Sequence, residues 1–118
     1  MKAFRLLLTM AVAVVLMVGM SSCNKCDNEN PRARVINHGS LVASVQIKTS
    51  NGNTENINNV MPNTSSDTRS YAKGLVTFTI TLDKTELVET VQMDSCYEYD
   101  IVIDANNSIS TVSRDLND

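Results

Sequence analysis

The 118-residue chain has no tryptophan, one histidine and three cysteines, and its aromatic residues are three Tyr and two Phe. With one histidine, any His-based acid–base chemistry would have to rest on His38, which sits beside Gly39 and reads as a surface turn residue. Cys26, Cys96 and His38, with Cys23 set aside by its place at the end of the leader, show no zinc-ligand spacing and fall short of a four-ligand set, so no metal and no cofactor are expected. The sequence contains no nucleophile elbow, phosphate-binding loop, metalloprotease motif or dinucleotide fingerprint. We therefore expect no enzyme. Positive charge is also scarce: ten Lys and Arg face 13 Asp and Glu, for a net charge of −3. Such a chain repels the phosphate backbone, which removes nucleic acid as an expected partner.

The one long apolar stretch is Leu6–Val18, interrupted by Thr9. It is short of the roughly 20 residues of a spanning helix. Lys2 and Arg5 precede it, and Gly19, Ser21 and Ser22 close it. A short positive segment, an apolar core and small residues form the layout of a secretory signal, expected over residues 1–22. Removing it leaves 96 residues, one small domain, with a net charge of −5 because Lys2 and Arg5 leave with the signal.

Met20-Ser21-Ser22-Cys23 resembles the lipobox of bacterial lipoproteins, with Met20 where Leu is usual. The resemblance implies that the Cys23 thiol receives a diacylglycerol and that Cys23 becomes the N-terminus. Each buried methylene contributes about 0.8 kcal/mol, so three acyl chains on one cysteine anchor firmly where one is marginal. The alternative is an ordinary secreted protein. Asn24, where Asp would signal inner-membrane retention, implies the outer membrane. Asp27 and Glu29 resemble a surface-export tag, although Lys25 and Cys26 interrupt it. The expected location is thus the cell envelope, with the membrane as partner through the lipid anchor and surface exposure left open.

With Cys23 acylated, Cys26 and Cys96 remain. They either pair or stay as two thiols. A disulfide closing a loop of about 70 residues would contribute on the order of 4 kcal/mol by restricting the unfolded chain. Residues 23–31, "CNKCDNENP", are polar, lack apolar periodicity and end in Pro31, and read as a tether.

Beyond the tether, residues 32–118 alternate with period two. Leu41, Ala43, Val45 and Ile47 share one face. Val76, Phe78, Ile80 and Leu82 share another, against Thr77, Thr79 and Thr81. Tyr97, Tyr99, Ile101 and Ile103 alternate with Glu98, Asp100, Val102 and Asp104. One greasy and one wet face per strand is the pattern of antiparallel sheets around a single core. Weaker strands are expected at 33–37, 54–58 (Ile57 inward), 67–71 and 108–113. Asn51-Gly52 suits a tight type I′ turn, residues 61–67 read as a loop, and 104–107 close the last hairpin. Residues 83–93 are ambiguous: Asp83 and Glu86 have capping-box spacing, but β-branched Thr85, Val88, Thr90 and Val91 favour a strand over 86–93.

Seven or eight short strands with frequent turns predict an all-β fold, a small antiparallel β-sandwich, with a closed barrel as the alternative. The stretches 33–37, 41–52, 59–82 and 96–104 are similar in order and spacing to a group of bacterial lipoprotein β-sandwich domains of unknown function. Asn63 stands in for that group's loop glycine. The resemblance implies an immunoglobulin-like or transthyretin-like sandwich and no activity. It leaves two functional expectations: a structural or interaction module, or a ligand-binding accessory protein of a nutrient (glycan) uptake system.

Two features bear on a ligand. Asp94, Glu98, Asp100 and Asp104 are dense enough to suggest a calcium site or a carboxylate pair, but read better as a solvated sheet face that blocks edge aggregation. Tyr71, Tyr97 and Tyr99 could stack on sugars, yet Tyr97 and Tyr99 fall on the apolar face of their strand and read as core. The protein or glycan partner is left open.

Overall fold

The computed structural model describes residues 26–117; the expected signal segment and Cys23 lie outside them. Nine strands form: β1 (Arg32–Asn37), β2 (Ala43–Lys48), β3 (Thr54–Val60), β4 (Thr64–Ser65), β5 (Arg69–Ser70), β6 (Gly74–Leu82), β7 (Thr85–Met93), β8 (Tyr97–Ile103) and β9 (Ile109–Asp115). No helix occurs among the described residues. The strand not expected is the two-residue β4, within the segment read as a loop, while β5 falls inside the short strand expected over 67–71.

The strands make two sheets. The second sheet runs β3-β2-β6-β7 and is antiparallel throughout. The first runs β4-β1-β8-β9, with β5 also on β1. β4 and β5 pair with opposite ends of β1. Ser66 bridges the gap between them: its N–H donates to the Val35 carbonyl at 2.8 Å, and its hydroxyl accepts from the Val35 N–H at 2.9 Å. The expected all-β antiparallel sandwich is what forms, with β1 and β8 as its one parallel pair among the described residues. The exception is topological, since a parallel pair needs a long crossover, and here the whole second sheet lies between β1 and β8 in the chain. β1 and β2 fall in opposite sheets, unlike the immunoglobulin constant arrangement, where the first two strands share one.

The core lies between the sheets and is built by the expected alternation. β2 reads buried-exposed without a break, and Val76, Phe78, Ile80 and Leu82 of β6 are all buried. Val35, Tyr99, Ile101 and Ile103 meet them from the first sheet. Ile57 faces inward from β3. Residues 85–93 form a strand, not a helix. The spacing of four between Leu87 and Val91 also fits period two, and both pack toward the core. Asp83 and Lys84 become a two-residue turn in which Asp83 takes a positive φ of 54°.

Two local expectations are corrected. Leu41 is 39% exposed rather than inward. The chain is still crossing between sheets there, and alternation begins at Ala43. The Asn51-Gly52 turn is a three-residue loop instead of a two-residue type I′ turn. The Gly52 N–H donates to the Thr49 carbonyl at 3.1 Å, the Thr49 N–H donates to the Asn53 carbonyl at 2.9 Å, and of the loop residues only Gly52 has positive φ. Type I′ needs positive φ at both central residues.

One buried polar side chain ties the sheets at the end where the crossing occurs. Asn37, fully buried at the end of β1, donates from Nδ2 to the carbonyls of Leu41 (2.7 Å) and Val60 (3.0 Å), and its Oδ1 accepts from the Gly39 N–H (2.9 Å). A Cβ at Gly39 would meet the end of the Asn107 side chain, which would have to swing aside. Removing the Asn37 amide would strand three backbone groups, at about 1–3 kcal/mol for each group left unsatisfied. Asn37→Ala should therefore lower the unfolding free energy by about 3 kcal/mol in urea denaturation, while His38→Ala, an exposed neighbour, stays within about 0.5 kcal/mol. Equal effects would show that the amide is not the tie.

Candidate functional site

Three places on the fold carry chemistry. The first is the end of the sandwich where β1 and β8 begin. Cys26 and Cys96 form a disulfide across 70 residues, with Cα atoms 5.8 Å apart. The pairing alternative is therefore the one realised. Hydrogen bonds reinforce it. The Cys96 N–H donates to the Glu29 carbonyl (2.9 Å), the Leu116 N–H to the Cys96 carbonyl (2.9 Å), and the Cys26 N–H to Asn117 Oδ1 (3.0 Å). The Tyr71 N–H donates to the Pro31 carbonyl at 2.9 Å, and Pro31 is buried. From Cys26 onward, the polar segment read as a tether lies fastened to the domain.

The second place is the outer face of the first sheet. Its register sets Arg32 and Arg34 beside Glu98 and Asp100, and Glu98 beside Arg114. Arg34 Nε donates to Asp100 Oδ1 at 2.9 Å. Arg114 donates to Asp100 Oδ2 (2.8 Å), to Asp100 Oδ1 (3.2 Å) and to Glu98 Oε1 (2.7 Å). Arg32 pairs with Glu98 at 3.2 Å. Asp100 is only 7% exposed although it occupies an outward position, because the two guanidinium groups cover it. Hydrogen bonding from Arg114, helped by Arg34 and opposed by burial, holds its carboxyl below the usual range. The arginines of this ladder were not singled out in the sequence. Arg32 and Arg34 do stand two apart on the wet face of their strand, but only the parallel β1–β8 register makes them partners of the acids.

The third place is a shallow depression of about 150 Å³ on the outer face of the second sheet. Ser44 and Gln46 of β2, Asn56 and Asn58 of β3, Thr79 and Thr81 of β6, and Glu86 of β7 line it. Their groups are hydroxyls and amides with a single carboxylate. Such a surface complements a neutral, hydroxyl-rich molecule better than an ion or an apolar one.

The remaining sequence candidates separate. Asp94 and Asp104 flank opposite ends of β8, while Glu98 and Asp100 are engaged by arginines, so the four acids do not converge. Among the described residues no group of three or more His, Cys, Asp or Glu could hold a metal ion. His38 is exposed in the β1–β2 connection. The tyrosines serve the core. Tyr71 packs edge-on against Phe78 with ring centroids 6.3 Å apart, and burial, with Glu55 nearby, pushes its hydroxyl up to about 12. Tyr99 is buried, and its hydroxyl accepts from the Asp94 N–H at 2.9 Å. Half-buried Tyr97 stacks on Tyr99. No family model, curated protein or solved structure matches the chain.

The charge ladder makes a pH prediction. A carboxyl whose folded pKa is depressed adds stability above its unfolded pKa, and that stability fades as pH falls through the lower folded value. Asp100→Asn should destabilise the domain by about 2 kcal/mol at pH 7, the scale of hydrogen bonds to charged groups. Urea denaturation across pH should show the gap between wild type and Asp100→Asn closing below about pH 4. A gap independent of pH would assign the cost to packing.

Proposed function

We propose that this chain is a lipid-anchored envelope protein whose β-sandwich is a non-enzymatic structural or interaction module. The observation that carries the reading is the Cys26–Cys96 disulfide. Disulfides persist in oxidising, exported compartments. This one takes two of the three cysteines and leaves Cys23, at the end of the apolar leader, for the acyl chains. Asn24 favours the outer membrane. The placement of β1 and β2 in opposite sheets counts against the immunoglobulin constant form of the resemblance. Metabolic labelling with a radioactive fatty acid tests the anchor. Wild type should take up label and Cys23→Ser should lose it; full label in Cys23→Ser would overturn the reading.

The depression on the second sheet favours a second reading, in which the module holds a neutral glycan for an uptake system. Its array of amides and hydroxyls supports hydrogen bonding to sugar hydroxyls, while the lack of an exposed aromatic platform predicts weak binding. On a glycan array, wild type should give signals that the Gln46→Ala/Asn56→Ala double variant loses. Silence from wild type would leave the module reading alone.

A further inference from the structure

The strand directions give the sandwich two poles. β1 and β8 run side by side from the Cys26–Cys96 end, and β9 returns to it. β6 begins at that end, where Gly74 pairs with Met93 close to Cys96, and finishes at the other, where Leu82 pairs with Thr85. The near pole thus carries the disulfide, Lys73 and the 49–53 hairpin. The far pole carries Lys84, the 38–42 crossing and the 104–108 turn. Nine strand residues in β6 separate the poles by about 30 Å.

We propose that the near pole is the face of the domain that meets the lipid bilayer, and that the Cys26–Cys96 disulfide holds it there. The inference rests on acylation of Cys23. Three chain steps separate Cys23 from Cys26, which reach at most about 11 Å. The disulfide and the bonds to Asn117 and Glu29 fix the chain to the domain from that point. An anchored domain cannot then turn over, since its far pole lies about 30 Å beyond a leash a third as long. Without the disulfide the first strand residue, Arg32, is nine steps from Cys23, a reach of about 32 Å. That matches the length of the domain and frees its orientation. Asp27, Glu29 and Asp94 give the near pole negative charge, so attraction to anionic headgroups does not hold it. The covalent geometry does.

The test uses the full, acylated, disulfide-bonded protein. Lys73→Cys and Lys84→Cys each add one thiol at an exposed lysine, at the near and far poles. Cys23 is acylated and the other cysteines are paired, so the new thiol alone takes a fluorescent donor. The proteins are placed in phosphatidylcholine vesicles with a headgroup-labelled acceptor. Energy transfer from position 73 should exceed that from position 84 severalfold and be insensitive to salt, and the two should converge after reduction. Equal transfer from both positions in the oxidised, membrane-bound protein overturns the proposal. Detergent phase partitioning is run alongside. Protein in the aqueous phase would show that the anchor itself is missing, a different failure with its own signature.

Discussion

The structure depends on alternate apolar side chains meeting between two sheets that share no backbone hydrogen-bond ladder. Phe78, Ile80 and Leu82 on one side and Val35, Ile101 and Ile103 on the other lose almost all contact with water. At about 25 cal/mol per Å² of apolar surface, each such side chain contributes roughly 1.5–3 kcal/mol on burial. That attraction is not directional, so it sets that the sheets face each other without fixing how. Direction comes from two polar ties, the Asn37 amide at the far pole and the Thr111 hydroxyl donating to Glu89 at 2.8 Å between β9 and β7, and from the covalent disulfide at the near pole.

The disulfide has a different energetic character from the other ties. It acts mainly on the unfolded chain, by closing a 70-residue loop, and contributes on the order of 4 kcal/mol in the chain-entropy view. A domain below 100 residues buries a modest share of its surface, so a staple of this size is a large part of its net stability. It also joins stability to location. The cross-link that secures a small core is the one that fixes the segment leading to Cys23, and it is available only where thiols are oxidised.

Much of the fold is legible in the residues, and the reason is local. Alternation in β2, β6 and β8 is a property of neighbours in sequence, and it placed most of the core side chains, while β-branched content read the ambiguous 86–93 stretch as the strand it is. What the residues do not carry is pairing between distant strands. The parallel β1–β8 contact hides the meaning of Arg32 and Arg34, and with it the reason Asp100 is buried on a wet face. The phase of alternation also misleads where the chain crosses between sheets, as at Leu41. The polar depression has no signature in any one strand: it exists because Gln46, Asn56 and Thr79 stand in register across three.

The most direct measurement is mass spectrometry of non-reduced peptides from the protein as its own cell produces it. The account predicts one cross-linked species joining the peptides of Cys26 and Cys96, with Cys23 at the amino terminus carrying the mass of its acyl groups. Alkylated Cys26 and Cys96, or a link from Cys23 to either, would contradict it.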